Sequence, residues 1–265
     1  MLQKKVKVLV LRTAGINCEA EMMVAWEKAG AAPELRHINE IAGAEASEKL
    51  ERYAALAIPG GFAYGDDLGA GKLLANDLLY RLQEPFARFV EAGKPVLGVC
   101  NGFQVLAKSG LFGEVTLLPN RSGRFECRWS WLQNAGGNNC LFTKGIEQIY
   151  LPVAHGEGRV MVGGDNPATT LKNLEENGQV VLKYTNPEGA AVEYPYNPNG
   201  SVADIAGICN PSGTVFGLMP HPERFISPLQ HPRWTRLQGH EGGLALTEGE
   251  GLKIFKNAVA FASQA

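Results

Sequence analysis

The first half of the chain alternates short apolar runs with longer segments in which apolar positions recur at helical spacing. The short runs predict buried β-strands, and the longer segments, each ending near a glycine, predict helices. Strands are expected at Lys5–Leu11, Leu35–Ile38, Ala54–Ile58 and Pro95–Val99, and helices at Cys18–Ala29, Leu73–Ala92 and Asn101–Ser109. Such alternation indicates βαβ units, and therefore a parallel sheet covered on both faces.

The pattern changes after Gly113, where strand-like runs are separated by turn-rich loops. These runs predict added antiparallel strands at Phe125–Leu132, Ile149–Val153, Val180–Tyr184, Ile205–Cys209 and Val215–Met219. A final helix over Gly249–Ser263 repeats apolar side chains every three or four residues, so one face should pack on the core. The predicted fold class is α/β, with an open, mostly parallel sheet flanked by helices. No linker or repeat interrupts the sequence, so residues 1–265 are expected to form a single domain.

Composition narrows the classes of function. The formal net charge of −2 over 265 residues gives no broad attraction to nucleic acid or to an anionic membrane. The longest apolar runs are too short to span a bilayer. The five cysteines are scattered without a C-x-x-C pair, which argues against a zinc site and a disulfide framework. We therefore expect a cytoplasmic protein that holds no metal and binds neither nucleic acid nor membrane.

One cysteine lies between two glycines at the end of a predicted strand. The stretch Gly98-Val99-Cys100-Asn101-Gly102 follows that strand and opens a helix, which is the context of a nucleophile elbow. The glycines would let the backbone turn sharply, and the helix amino terminus would favour the thiolate of Cys100. The alternative is an ordinary buried cysteine in a βα turn.

A cysteine nucleophile needs a base, and two segments could supply one together with a carboxylate that orients it. These are His155-Gly156-Glu157 and His221-Pro222-Glu223. Residues two apart in extended backbone point to the same side, so either glutamate could hold its own imidazole. Prolines on both sides of His221 bias it toward extended geometry, whereas a glycine leaves His155 unconstrained. This favours His221 without excluding the other pair.

An oxyanion hole is the remaining component of such a site. The loop Gly60-Gly61-Phe62 follows the strand at Ala54–Ile58, and its N–H groups could face Cys100 across the end of the sheet. A glycine turn without a catalytic role is the alternative.

Together, these features resemble the class I, or triad, glutamine amidotransferases, whose fold is flavodoxin-like. Further stretches point to one branch of that family, and the matching segments run from end to end. They are Gly15-Ile16-Asn17-Cys18-Glu19, Pro59-Gly60-Gly61-Phe62-Ala63-Tyr64-Gly65-Asp66, Gly98-Val99-Cys100-Asn101-Gly102-Phe103-Gln104, Arg124-Phe125-Glu126-Cys127-Arg128, Val153-Ala154-His155-Gly156-Glu157-Gly158, Asn199-Gly200-Ser201 and Met219-Pro220-His221-Pro222-Glu223-Arg224.

The resemblance implies a role for each matching residue. Cys100 would attack the side-chain amide of glutamine, His221 would pass a proton to the departing ammonia, and Glu223 would orient His221. The remaining assignments are the oxyanion and glutamine-binding residues Gly60, Gly61, Phe62, Asn101, Gln104, Arg124 and Phe125, and a structural or partner-contacting loop with His155 and Glu157.

The resemblance also implies a division of labour between proteins. Ammonia would pass to a synthase component, which in some members is accompanied by a small third subunit. ATP and magnesium are expected on that synthase, and no cofactor is expected on this chain. The stretch Gly69-Ala70-Gly71-Lys72 agrees, because it lacks the leading glycine and the final Ser or Thr of a phosphate-binding P-loop.

Two segments and two alternative functions stay open at this stage. Asn186–Asn199 and Gln230–Glu250 are longer than in the stand-alone glutaminases of this family and look more like the glutaminase domain of a single-chain form. A hydrolase or chaperone with a similar cysteine elbow is the second candidate, although such proteins commonly have histidine where Asn101 follows the cysteine. A non-catalytic regulatory subunit is the third.

Overall fold

The fold is built around one large β-sheet. The computed structural model describes residues 5–190, 192–238 and 247–264. In these ranges the strands are β1 (Lys7–Arg12), β2 (Ala32–His37), β3 (Ala55–Ile58), β4 (Val96–Val99), β5 (Val115–Leu118), β6 (Glu126–Asn134), β7 (Gln148–His155), β8 (Arg159–Val162), β9 (Val180–Thr185), β10 (Ile205–Cys209) and β11 (Val215–Leu218). The helices are α1 (Glu19–Lys28), α2 (Ile38–Ile41), α3 (Ala46–Glu51), α4 (Lys72–Asn76), α5 (Gln83–Glu91), α6 (Asn101–Lys108), α7 (Pro167–Glu176), α8 (Trp234–Gln238) and α9 (Leu252–Ala262).

Nine strands form this sheet in the order β2-β1-β3-β4-β11-β10-β9-β6-β7 among the residues described. The first five are parallel, and the last four extend the sheet with antiparallel pairs. The predicted fold class is therefore confirmed, including the flavodoxin-like order at the parallel end. The expectation for Val215–Met219 is partly wrong, because β11 pairs in parallel with β4 as well as antiparallel with β10.

The predicted helix over Leu73–Ala92 is wrong as a single element. It is divided into α4, a π-helical turn at Asp77–Arg81, and α5. Leu82 has φ −117° and ψ 11°, outside helical geometry. Pro85 follows in the first turn of α5, where its lack of an N–H group costs nothing, although the same residue would break a continuous helix.

Other elements were missed because their sequence patterns are short or polar. The strands β5 and β8 form a separate two-stranded antiparallel sheet, and α7 is a largely exposed helix that begins at Pro167 with Asn166 as its cap. The single-domain expectation stays a prediction. The long segment Gln230–Glu250 lies partly outside the described residues, which omit positions 239–246.

The core lies on both faces of the parallel strands. Every residue of β3 and β4 is buried, as expected for strands covered by helices on both sides. Trp26 of α1 meets Phe255 of α9 edge to face, with 5.2 Å between the ring centroids. At the other end of the sheet, β7 alternates buried and partly exposed residues, and the Glu250 carboxylate accepts a hydrogen bond from Tyr150 N–H of that strand. No helix in the described ranges could span a membrane.

Close packing between α6 and β11 yields a test of the fold. A Cβ added at Gly217 would lie 2.2 Å from a ring carbon of the fully buried Phe103. We expect Gly217→Ala to lower the free energy of unfolding by about 1–3 kcal/mol, because the core would be overpacked. At Gly163 the nearest atom to an added Cβ is 3.7 Å away, so Gly163→Ala should change stability by no more than about 0.5 kcal/mol. Equal denaturant midpoints for the two variants would contradict this packing.

Candidate active site

Loops at the carboxyl ends of four adjacent parallel strands meet at one cleft. Cys18 follows β1, Gly61 follows β3, Cys100 follows β4 and His221 follows β11, and all four line a cavity of about 540 Å³. Ligand sites in doubly wound sheets form at this edge, where loops from neighbouring strands converge. The ends of the antiparallel strands β6 and β7 complete the wall with Cys127 and other residues.

The elbow at Cys100 has the strained backbone that the motif predicts. Cys100 has φ 52° and ψ −104°, an unusual conformation for a residue with a side chain. Both flanking glycines are required by close packing. A Cβ at Gly102 would lie 2.0 Å from the carbonyl oxygen of Ile58, and a Cβ at Gly98 would lie 2.6 Å from the carbonyl oxygen of Gly102. The strain therefore sits on the one non-glycine residue of the turn whose side chain enters the cleft.

His221 and Glu223 form a buried pair beside this elbow. Nδ1 of His221 lies 2.6 Å from Oε1 of Glu223, and both side chains are almost completely buried. The backbone N–H of His221 donates to Pro152 O of β7 at 2.8 Å, which fixes the segment against the sheet. In the described part of the chain, Nε2 of His221 is buried and has no hydrogen-bond partner.

The electrostatics of this pair favour a charged imidazole. Burial alone would lower the pKa of His221, but the Glu223 carboxylate and then the Cys100 sulfur outweigh burial and raise that pKa well above its usual value. An imidazolium next to the elbow stabilises a thiolate. The Sγ atom of Cys100 lies 3.7 Å from Ala154 O, which accepts its proton when it is a thiol.

The glycine loop after β3 lies against the same histidine. A Cβ at Gly60 would come within 2.9 Å of Cε1 of His221 and 3.4 Å of Cβ of Cys100, so only glycine allows this approach. The N–H of Phe62 donates to Gly15 O at 2.8 Å and is therefore not an oxyanion donor. In contrast, the N–H groups of Gly60, Gly61 and Asn101 make no hydrogen bond with any other described residue, which leaves them available to a ligand.

The side chain of Asn101 connects the elbow to the glycine loop. Its Oδ1 accepts from Ala63 N–H at 3.0 Å, and its Nδ2 donates to Asp66 Oδ1 at 3.1 Å and to Gln104 Oε1 at 2.9 Å. Asp66 is one of three consecutive loop residues with positive φ, together with Tyr64 and Gly65. The Asn101 amide therefore holds a strained loop in register with the first turn of α6.

Of the residues predicted to bind glutamine, some line the cleft and others do not. Gln104 lines the cleft, but its amide already contacts Asn101 and the carbonyl oxygen of Glu157. Phe125 lines the cleft and is 55% exposed. Arg124 is absent from the lining, and its carbonyl accepts from the side chain of Asn120. Glu157 lines the cleft, with its carboxylate 3.8 Å from Nζ of Lys108.

His155, which sequence analysis assigned to a structural or partner-contacting loop, also lines the cleft. Nδ1 of His155 lies 3.1 Å from Oδ1 of Asn120. That oxygen also accepts from Gly158 N–H, and Nδ2 of Asn120 donates to two carbonyls. Asn120 therefore presents an acceptor, and Nδ1 of His155 carries the proton. Burial, with a smaller effect from His221, lowers the pKa of His155 to about 3.

Cys18 and Arg224 are site residues to which sequence reasoning gave no role. Nη2 of Arg224 donates to Sγ of Cys18 at 3.0 Å. Cys18, His221 and Glu223 bring possible metal-ligand atoms within 4.8 Å of one another. The carboxylate of Glu223 is already engaged with His221, and the guanidinium places a positive charge at the sulfur, so the arrangement does not favour a metal ion. The sequence feature that could have identified Cys18 as a site residue is its position in the loop after the first parallel strand.

The depressed pKa of His155 predicts how stability responds to acid. An unfolded histidine takes up a proton near pH 6.5, whereas folded His155 stays neutral to about pH 3. The contribution of this residue to stability is therefore lost as the pH falls through that interval. Between pH 7 and pH 5 we expect the parent to lose about 2 kcal/mol more unfolding free energy than His155→Gln. Urea titrations at the two pH values measure this, and equal losses would contradict the assignment.

Comparison with known proteins agrees with the geometry. A family model described as a CobB/CobQ-like glutamine amidotransferase domain matches residues 5–262. Phosphoribosylformylglycinamidine synthase subunit PurQ of Dehalococcoides mccartyi is 46% identical, over 98% of this chain and 99% of its own length. The subunit of the same name from Methanococcus maripaludis is 41% identical with the same coverage.

Solved structures give the same result. The structure of PurLQS from Thermotoga maritima aligns with a TM-score of 0.71 and 32% identity, over 97% of this chain and 99% of that one. A glutamine amidotransferase from the same organism, 17% identical with a TM-score of 0.56 and covering 99% and 100% of the two chains, shares the fold. The two relatives are named as subunits, and each matches this chain over nearly its full length. The segments Asn186–Asn199 and Gln230–Glu250 therefore do not distinguish this chain from stand-alone subunits. The chain belongs to the CobB/CobQ-like glutamine amidotransferase family and, within it, to the PurQ subunits of phosphoribosylformylglycinamidine synthase.

Proposed function

We propose that this chain hydrolyses glutamine to glutamate and ammonia through a thioester on Cys100. The ammonia is delivered to a synthase component that converts formylglycinamide ribonucleotide to formylglycinamidine ribonucleotide with ATP, in de novo purine biosynthesis. The observation that carries the proposal is the buried 2.6 Å contact between His221 and Glu223 beside the strained Cys100 elbow.

The first step uses the charges and donors already present. The Cys100 thiolate, stabilised by the His221 imidazolium, attacks the amide carbon of glutamine. Negative charge then develops on the amide oxygen, where the N–H groups of Gly60, Gly61 and Asn101 are the available donors. Removing one donor of this kind typically costs about 3 kcal/mol of transition-state stabilisation.

The second step releases ammonia and regenerates the thiolate. His221 gives its proton to the amide nitrogen, the carbon–nitrogen bond breaks, and ammonia leaves the thioester. Neutral His221 then takes a proton from water, which attacks the thioester carbon. The carbon–sulfur bond breaks, and glutamate leaves as the Cys100 thiolate is restored. Glu223 keeps the proton on Nδ1 of His221, so Nε2 is the nitrogen that exchanges protons in both steps.

The partner assignment follows from the relatives. Their names identify subunits of a synthase, which supports a complex between this chain and a synthase component. We propose that a small third subunit can join it, and that ATP and magnesium bind on the synthase rather than here. The five cysteines are all free thiols, which fits the reducing cytoplasm that we propose as the location.

Covalent labelling tests the roles of the two histidines. A diazo-ketone analogue of glutamine should label Cys100, and Cys100→Ala should abolish glutamine-dependent synthesis while synthesis from free ammonia continues. His221→Ala should slow labelling about 10²–10⁴-fold because the acid–base group is lost, and Glu223→Ala should slow it less. His155→Ala is the matched control and should keep Cys100 reactive. Silencing by His155→Ala but not by His221→Ala would reverse the assignment.

Glutaminase activity should depend on the partner, because ammonia released without an acceptor wastes glutamine. The loop that carries Gly61 has two strained residues, Tyr64 and Asp66, and two exposed apolar side chains, Phe62 and Leu68. A synthase that covers them would order the oxyanion donors. We expect kcat/KM for glutamine to rise at least about tenfold when synthase and nucleotide are added, equivalent to about 1.4 kcal/mol.

A surface variant separates this activation from the basal reaction. Leu68→Ser should reduce the activation by synthase, whereas Tyr80→Ser, at another exposed apolar position outside the loop, should not. Equal kcat/KM with and without synthase would show a constitutive glutaminase. Equal activation of both variants would remove Leu68 from the interface.

A further inference from the structure

A second thiol lies next to the reactive cysteine. Cys18 is 1% exposed and lines the same cleft as Cys100. A point one bond from Gly60 Cα, where a Cβ would stand, is 3.2 Å from Sγ of Cys18 and 3.4 Å from Cβ of Cys100. The sulfur of Cys18 and Cβ of Cys100 are therefore separated by no more than the sum of these two distances. Both thiols also contribute to raising the pKa of the same imidazole, that of His221.

The surroundings of Cys18 suit a thiol that reacts rather than one that only fills space. The Arg224 guanidinium donates to its sulfur at 3.0 Å, and the side-chain oxygen of Asn17 lies 3.3 Å from it. A cation in contact with sulfur stabilises the anion that attacks another sulfur. A ring nitrogen of His221 lies within 4.8 Å of the Cys18 sulfur, and Nε2 of that ring is buried and has no partner among the described residues.

The structure assigns Cys18 as a resolving thiol for Cys100, so that the pair is a site of reversible oxidation by hydrogen peroxide. Cys127 lines the same cleft but is exposed and lies on β6, which makes it the natural comparison. This inference uses the proposed reactivity of Cys100, and it adds a second residue and a second chemistry to the site.

The chemistry proceeds in two balanced steps. The Cys100 thiolate attacks one peroxide oxygen, a sulfur–oxygen bond forms, the oxygen–oxygen bond breaks, and hydroxide leaves as water with a proton from His221. The sulfur is thereby oxidised by two electrons to sulfenic acid, and the peroxide is reduced. The Cys18 sulfur then attacks the Cys100 sulfur, the sulfur–oxygen bond breaks, and the hydroxyl leaves with the Cys18 proton as a second water.

This second step protects the enzyme from permanent damage. A sulfenic acid without a neighbouring thiol is oxidised further to sulfinic acid, which thiol reductants do not reverse. A disulfide between Cys18 and Cys100 blocks glutamine turnover only until it is reduced. Peroxide would then pause ammonia production and leave the nucleophile recoverable.

The test treats the full-length chain with hydrogen peroxide, alone and in complex with its synthase, and follows it by intact mass and non-reducing peptide mapping. We expect a peptide joining Cys18 to Cys100 and a mass loss of about 2 Da, reversed by dithiothreitol. Cys18→Ser should instead gain about 32 Da at Cys100, the mass of two oxygens, and lose the recovery. Cys127→Ser should behave like the parent. Glutaminase activity, normalised to each untreated variant, should recover at least about fivefold less in Cys18→Ser than in the parent.

Each outcome decides the assignment. A peptide joining Cys100 to Cys127, or equal recovery of Cys18→Ser and parent, would overturn it. The mass readout does not depend on turnover. If peroxide forms the disulfide but the untreated chain has no glutaminase activity, the proposed function is contradicted and the assignment of the thiol pair stands. If the untreated chain is active but peroxide forms no disulfide, only the thiol pair is contradicted.

Discussion

The first turn of α6 approaches the end of β3 so closely that only a hydrogen atom fits between Gly102 and the Ile58 carbonyl. The rest of the site depends on this contact. It sets where the helix begins, and therefore where the chain leaving β4 must turn, which places the strain at Cys100. It also brings Asn101 within reach of the neighbouring loop, so the residue after Cys100 can hold both sides of the cleft together.

Polar side chains extend that contact across the site. Asn101 holds the glycine loop and Gln104, and Gln104 reaches the carbonyl of Glu157 in the loop that follows β7. Asn120 in turn holds His155 at the end of β7 and Gly158 in the loop after it. Buried amides that satisfy several backbone groups at once make neighbouring loops move as one body. The oxyanion donors and the far wall of the cleft are therefore coupled through two asparagines and one glutamine.

Sequence patterns predicted the parts of this molecule that depend on local order. Apolar runs located the strands of the main sheet, and the glycines around Cys100 predicted an elbow whose cramped geometry the structure shows. The order Pro-His-Pro favoured His221, which lies beside Glu223 as expected.

Long-range packing determined the features that the sequence did not predict. Segments distant in the chain meet in the parallel pairing of β11 with β4 and in the cleft that His155 shares with Cys100. They also meet in the contact between Arg224 and Cys18, which are 206 positions apart. The role of Gln104 in binding glutamine stays a prediction, because this residue lines the cleft and its amide also bonds Asn101 and the Glu157 carbonyl.

The contact between His221 N–H and Pro152 O has a further consequence, because β7 is the outermost strand of the described sheet. An edge strand exposes unpaired backbone groups that can pair with another chain and start aggregation. Here the edge is blocked at two points, by the His221 segment at Pro152 and by Glu250 at Tyr150, while Pro152 itself has no N–H to offer. The segment that carries His221, the proposed base, thus also caps the sheet, so damage that loosens it would threaten solubility together with turnover.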